Sequence, residues 1–413
     1  MFKKIFLYIK FFLIYSVIIL YSLEFLTIIF LGKKYNLATK TFDQWRYEKS
    51  LEIKNFDMRT GVQAFIEEKK KNSNLSPTYR FSVSEWHLDA VDHQNKIRNF
   101  LNNKIEKKEI VPFKGPINKQ TLGSGEDGHR RTTYNDKYGF QNPNYVYQKE
   151  IDIMIIGDSF AEGVPFSEKD DIAGRIRKNG NLNAINYGIS GAGPLLSLAV
   201  LSEYGSFFSP KKVYYLFFEG NDMDDLITEK NSFLVNYLSD YTQNLYKNHD
   251  KVKIFLEDYE RIIYEILPYK DKSNRIVKKT QNKFYENLKE FLELSSLKDI
   301  LFSRSFHSFK EKEDPELMVS VLKKMKKITE GWDGEINFVY IPSWHRYNQK
   351  FSFANYSYKK KIRNLSSLSK IKFIDLVEVF ASQNIEPLNL YNFGLHFNDK
   401  GYEIISNTIV KDF

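Results

Sequence analysis

Residues 151–163 read IDIMIIGDSFAEG, an aliphatic run that stops abruptly at Gly157, Asp158 and Ser159. Ile, Met and Ile in succession, closed by a glycine, read as a buried strand, and Gly, Asp and Ser are ordinary turn residues. The stretch has two readings: a strand ending in a surface turn, or a rigid strand presenting a serine nucleophile. The surrounding pattern separates them.

Further short apolar runs follow at 182–189 (LNAINYGI), 211–220 (KKVYYLFFEG), 336–343 (INFVYIPS) and 372–377 (KFIDLV). Each is β-branched or aromatic-rich and ends in polar or glycine turns, as strands do. Helical spacing fills most of the gaps, at about 168–178, 194–206, 354–369 and 399–411. Strands alternating with helices predict an α/β fold, a parallel sheet covered on both faces. Ligands of such sheets bind beyond the carboxyl ends of the strands, and Ser159 follows one of those ends. The interval 223–332 is long, charged and helix-patterned, and reads as a helical insertion between the third and fourth strands, a place for a lid or a protein partner.

The first residues, MFKKIFLYIKFFLIYSVIILYSLEFLTIIFLGKK, include a run at 11–31 that is apolar apart from Ser16, Ser22, Glu24 and Thr27. At about 1.5 Å of rise per residue it can cross a hydrocarbon layer of roughly 30 Å. It is longer than the apolar core of a signal peptide and has no small-x-small site behind it, so residues 1–34 are read as a retained anchor. Glu24 fits a position near one end of the span. Lys3, Lys4 and Lys10 before the run are balanced by Lys33, Lys34, Lys40, Arg46 and Lys49 after it, so charge does not set orientation. Residues 35–148 form an extension ahead of a main domain at 149–413. Within the extension, His87, Asp89, Asp92 and His93 match no metal-ligand spacing and read as a polar helix face.

The 413 residues are 42% hydrophobic and 16% aromatic, enough for a large core. The net charge is +9, but lysines are scattered among acids (IEEKKKN, FKEKEDPE) and no nucleic-acid motif accompanies them, so a nucleic-acid partner is not expected. There is no cysteine, which excludes disulfides, thiol catalysis and thiolate metal sites.

Three other fragments stand in the same relation to the sheet as GDSF: NYGISGAGP after the second strand, EGNDMDD after the third, and NFGLHFNDKGY near residue 396. A serine, a glycine, an asparagine and a histidine thus appear in order, each beside a strand end. On these four fragments, residues 150–413 resemble the SGNH/GDSL hydrolases. The resemblance implies a flavodoxin-like three-layer α/β/α sandwich, with Ser159 as nucleophile and His396 as base. It also implies an oxyanion hole from the backbone N–H groups of Ser159 and Gly191 and the side-chain amide of Asn221. Acyl chemistry needs this set: a nucleophile, a base for its proton, and donors facing the developing negative charge. It calls for no metal or cofactor.

The family's pattern carries an aspartate three residues before the histidine; here Phe393 stands there, and a phenyl ring cannot orient an imidazole. Three explanations compete. His396 works in a dyad with a backbone carbonyl; or Asn392 or Asp375, with Glu378 nearby, replaces the acid; or catalysis is lost and the cleft is kept for binding. Trp344, His345 and Arg346, after the fourth strand, are candidates for lining a substrate site. An α/β-hydrolase elbow, G-x-S-x-G, is excluded because Ala161 stands where its second glycine belongs, and GDSFAEG lacks the Lys and spacing of a phosphate-binding loop.

The sequence therefore leads us to expect a membrane-anchored esterase or O-acyltransferase acting on an ester, with acetyl groups of a cell-surface glycan as the candidate substrate. Its catalytic domain would lie outside the cytoplasm, in the periplasm if the source is bacterial. The competing expectation is an inactive SGNH-like module that binds a glycan or a partner protein.

Overall fold

The computed structural model describes residues 2–31, 49–81, 91–272, 288, 291–294, 313–348, 353–392 and 396–413. The chain divides into two compact units, residues 1–58 with 274–308, and residues 59–273 with 309–413.

The first unit contains the helix Phe2–Leu31. Its segment Tyr8–Leu26, of mean hydropathy 1.9, is long and apolar enough to cross a membrane. Phe12, Leu13 and Ile18 point outward, while Glu24 is buried and Tyr21 donates to the Leu292 carbonyl at 2.9 Å.

The second unit is built on a five-stranded sheet: β1 (Ile153–Gly157), β2 (Ala184–Asn186), β3 (Lys212–Phe218), β4 (Glu335–Ile341) and β5 (Lys372–Asp375). The order is β2-β1-β3-β4-β5 and every pairing is parallel. This is the flavodoxin-like order, whose topological switch point lies between β1 and β3.

Side chains alternate across each strand. Met154, Ile156, Val213, Tyr215, Phe217, Phe338 and Tyr340 enter one apolar layer, with Leu195 and Leu198 of helix Pro194–Val200 and Ile362 of helix Phe353–Leu368. Ile153, Ile155, Tyr214, Leu216, Val339 and Ile341 enter the other, with Ile176 of helix Ile172–Asn179 and Ile405 and Ile409 of helix Asp399–Asp412. Both faces are covered, so the strands read as near-continuous apolar runs and the domain is a three-layer α/β/α sandwich.

Two parts of the chain outside this repeat pack into the first layer. From the extension, Phe113, Phe140 and Val146 are fully buried there, and the Phe140 ring stacks on Tyr187 with centroids 4.0 Å apart. From the interval between β3 and β4, helix Pro315–Glu330 contributes Met318, Val321, Leu322 and Met325, making it the crossover helix that returns the chain to β4. Helix His249–Lys272 lies against the extension, through Tyr259 on Tyr79 (4.7 Å) and Phe255 on Phe100 (5.0 Å). His87 and Asp89 lie outside the described residues. Among those described, no group of three His, Asp or Glu is placed to hold a metal ion.

Candidate active site

β1 ends at the switch point, and its last residue can only be glycine. Gly157 has φ +140°, and a Cβ there would sit 2.5 Å from the Leu216 carbonyl oxygen of β3. The chain then turns into the short helix Ser159–Glu162, capped by Asp158, whose carboxylate accepts from Phe160 N at 2.9 Å. Ser159 is thus the first helical residue, where backbone N–H groups have no partner inside the helix. The next side chain, Phe160, is buried between the rings of Phe218 (4.3 Å) and His396 (4.8 Å), which holds the turn against the histidine loop.

His396 meets the serine directly. Its Nε2 lies 2.7 Å from Ser159 Oγ, and its ring is one-fifth exposed. Its other ring nitrogen, Nδ1, lies 2.6 Å from the carboxylate of Glu126, whose second oxygen accepts from His396 N at 2.8 Å. Glu126 therefore fixes both the imidazole and the backbone that carries it.

Glu126 comes from the extension. Strands Gln120–Leu122 and Thr132–Tyr134 pair antiparallel, and Gly123 N donates to Arg131 O at 2.8 Å to close the hairpin. The loop GSGEDGHRR between them is stapled internally by the Arg131–Asp127 ion pair (2.7 Å) and by Arg130 Nη1 donating to Ser124 O (2.9 Å). Its tip delivers the Glu126 side chain, which is only 5% exposed. The sequence reading assigns no role to Glu126. The available signal was a pair of acidic residues, Glu126 and Asp127, in a Gly-rich turn between two short β-prone runs.

Neither expected substitute for the acid reaches the ring. Asp375 ends β5 and caps the following helix through Val377 N (2.9 Å), while its second oxygen pairs with Lys359 (2.8 Å) and Arg363 (2.5 Å). Asn392 bonds backbone instead: its N donates to His396 O at 2.6 Å and its amide to Phe397 O at 2.9 Å. It braces the histidine loop without touching the imidazole. Phe393 lies outside the described residues.

Gly191 and Asn221 follow β2 and β3, the strands on either side of β1. Gly191 has φ +76°, left-handed backbone that favours glycine. Asn221 precedes helix Asp222–Glu229 but does not cap it with its side chain, and its Oδ1 is buried without a hydrogen-bond partner. Its amide is thus not spent on the helix terminus. Trp344 and His345 open the helix Trp344–Asn348 after β4, one strand further from Ser159 than Asn221. Burial pushes the His345 imidazole below its ordinary pKa. Arg346 is committed elsewhere, to the fully buried Glu219 (2.9 Å), which also accepts from Ser343 N at 2.7 Å. That pair is a strut between the ends of β3 and β4.

The electrostatics favour a basic imidazole. Burial alone would lower the His396 pKa, but the Glu126 charge and hydrogen bond, with smaller contributions from Asp158 and Glu162, raise it above the ordinary value. Behind the serine, burial pushes Asp158 up to about 6 and Asp225 up to about 7, and Asp222 is raised well above the carboxylate range.

No protein-family model matches the chain, and no curated protein matches it. Solved structures do. The chain is similar to the lipase/acylhydrolase from Enterococcus faecalis, at 12% identity over 63% of this chain and 95% of that one, with a TM-score of 0.36. It is similar to Axe2, an acetylxylan esterase from Geobacillus stearothermophilus, at 12% identity over 64% and 96%, with a TM-score of 0.34. It is also similar to a member of the lipolytic protein G-D-S-L family from Veillonella parvula DSM 2008, at 12% identity over 64% and 98%, with a TM-score of 0.32.

Proposed function

We propose that this chain is a serine esterase or O-acyltransferase of the SGNH type, tethered to a membrane by the helix Phe2–Leu31. One observation carries the reading: the unbroken line of short hydrogen bonds from Ser159 Oγ through His396 to Glu126. A surface turn has no use for a buried carboxylate aligned behind an imidazole that faces a serine.

The chemistry follows from that line. Ser159 Oγ attacks the ester carbonyl as His396 Nε2 takes its proton, and Glu126 stabilises the imidazolium and keeps the ring in the productive tautomer. The carbonyl oxygen becomes an oxyanion facing Ser159 N, Gly191 N and the Asn221 amide. The imidazolium then returns its proton to the departing alcohol as the C–O bond breaks, leaving an acyl-serine. Water, deprotonated by His396, releases the acid and regenerates the serine; a second hydroxyl in place of water completes acyl transfer instead. The proposed substrate is an acetylated glycan at a cell surface. This rests on the family resemblance, the tether and the aromatic pair Trp344–His345 beyond β4.

Ser159→Ala should abolish turnover of a chromogenic acetyl ester and labelling by a fluorophosphonate probe, with folding intact by circular dichroism. Wild-type turnover in that variant would refute Ser159 as the nucleophile, whereas a native protein with neither turnover nor labelling at Ser159 would leave only a binding module. Product analysis with and without an added glycan acceptor distinguishes hydrolysis from transfer.

A further inference from the structure

We infer that Glu162, one turn after the nucleophile, is a positioning residue that sets the loop carrying Gly191, with charges lent by the extension. The inference rests on the reading of Gly191 N as an oxyanion donor.

The Glu162 side chain is completely buried, yet its carboxylate gathers donors from four directions. Arg80 approaches through Nε (3.1 Å) and Nη2 (2.7 Å), Lys114 Nζ stands at 3.2 Å, and Gln141 Nε2 donates at 3.0 Å; all three belong to the extension. The fourth direction is the loop after β2, where Ser190 donates to the carboxylate through both its N, at 2.6 Å, and its hydroxyl. Burial opposes ionisation of Glu162, but the Arg80 and Lys114 charges outweigh it and hold the carboxyl well below its usual range. The group is a fixed anion.

Lys114 also donates to Gly188 O at 3.0 Å. The loop is therefore gripped at residue 188 by the cation and at residue 190 by the anion that the cation neutralises. The backbone of Glu162 joins in, since its carbonyl accepts from Asn186 Nδ2 (3.2 Å) while Asn186 Oδ1 accepts from Gly188 N (2.9 Å). The next residue is Gly191. Its φ of +76° is left-handed backbone that no Cβ at residue 191 helps to hold, so the grips on residues 188 and 190 set its position. Because Glu162 and Ser159 share one helical turn, the same short helix fixes the nucleophile and, through Ser190, a donor to the charge that the nucleophile creates. An oxyanion hole is effective only when its donors stand in place before the charge appears.

The test is Glu162→Gln in the full chain, which keeps the shape and one acceptor but removes the charge. In a protein still folded by circular dichroism, kcat should fall about 10- to 100-fold, a fraction of what loss of a whole oxyanion donor costs. KM should stay within about threefold. A trifluoromethyl ketone, whose carbonyl carbon takes the Ser159 oxygen to form a hemiketal that mimics the tetrahedral oxyanion, should lose affinity by a similar factor. Unchanged kcat and ketone affinity would overturn the inference, as would a loss confined to KM. Should the single variant not fold, Lys114→Met with Glu162→Gln removes both buried charges, Arg80 being one-quarter exposed and able to reach water. The same outcomes then decide. Ser159→Ala, run alongside, separates the cases: turnover surviving in that variant refutes the serine mechanism itself, whereas a dead Ser159→Ala beside a fully active Glu162→Gln refutes only the role given to Glu162.

Discussion

Glu126 and His396 are 270 residues apart in the chain and 2.6 Å apart in space. The SGNH pattern that the sequence resembles has a carboxylate three residues before the histidine; here a carboxylate arrives from a hairpin ahead of the whole sheet. It meets the ring nitrogen opposite the one facing Ser159, and Phe393 therefore does not leave the imidazole without an acid.

Removing that acid should be costly. Glu126→Gln is expected to lower kcat by about 10²- to 10⁴-fold, since an amide can hold the wrong tautomer and cannot balance an imidazolium. Asp375→Asn should leave kcat within about threefold and instead lower stability by about 1–3 kcal/mol, because it weakens the pairs with Lys359 and Arg363. Steady-state kinetics and urea unfolding on both variants check the contrast, and the reverse result would restore Asp375 as the partner.

The pH profile has a definite sign. His396 must be neutral to take the serine proton, and its pKa is raised above the ordinary 6.5 or so. Activity should therefore be lost as pH falls through a value above that of free histidine. Glu126→Gln removes the main cause of the rise and should move the acidic limb of kcat/KM to lower pH while lowering its plateau. A limb that stays in place would show that another group controls it.

The hairpin tip can be tested without touching the core. Replacing residues 124–130 by a Gly/Ser loop of equal length should keep the fold, because the extension is anchored by Phe113, Phe140 and Val146. Turnover should fall at least as far as in Glu126→Gln. An active loop variant would exclude the hairpin from the mechanism.

Gly157→Ala probes the turn itself. With φ at +140° and the Leu216 carbonyl 2.5 Å from the added carbon, stability should drop by about 2–4 kcal/mol, measured by denaturant unfolding. A variant as stable as the parent would mean that β1 and β3 can separate there.

Much of the sheet was legible because its signals are local. Each strand is a short apolar run ended by a turn, and Met154 and Ile155 lie on opposite faces by simple alternation. Ser159 and His396 were legible as well, since each sits in a motif of its own, the serine at the end of β1 and the histidine just before helix Asp399–Asp412. Glu126 was not. Its partner lies in a distant loop, and no periodicity or spacing reports a contact between two turns. Asp375 attracted attention for the opposite reason. It stands at a strand end close to His396 in sequence, but Lys359 and Arg363, on the helix before β5, claim its carboxylate. The grip of Arg80, Lys114 and Gln141 on Glu162 was equally hidden, because lone polar residues scattered among apolar ones look like surface until the fold encloses them.

The order in which the chain is made adds one more consequence. During translation the hairpin bearing Glu126 leaves the ribosome early, the serine soon after, and the imidazole only when residue 396 emerges. On the proposed mechanism, a nascent chain thus has no means of cleaving an ester through Ser159 before residue 396 has been made. On that reading the serine acquires its base only once His396 has been made and stands against both Ser159 and Glu126.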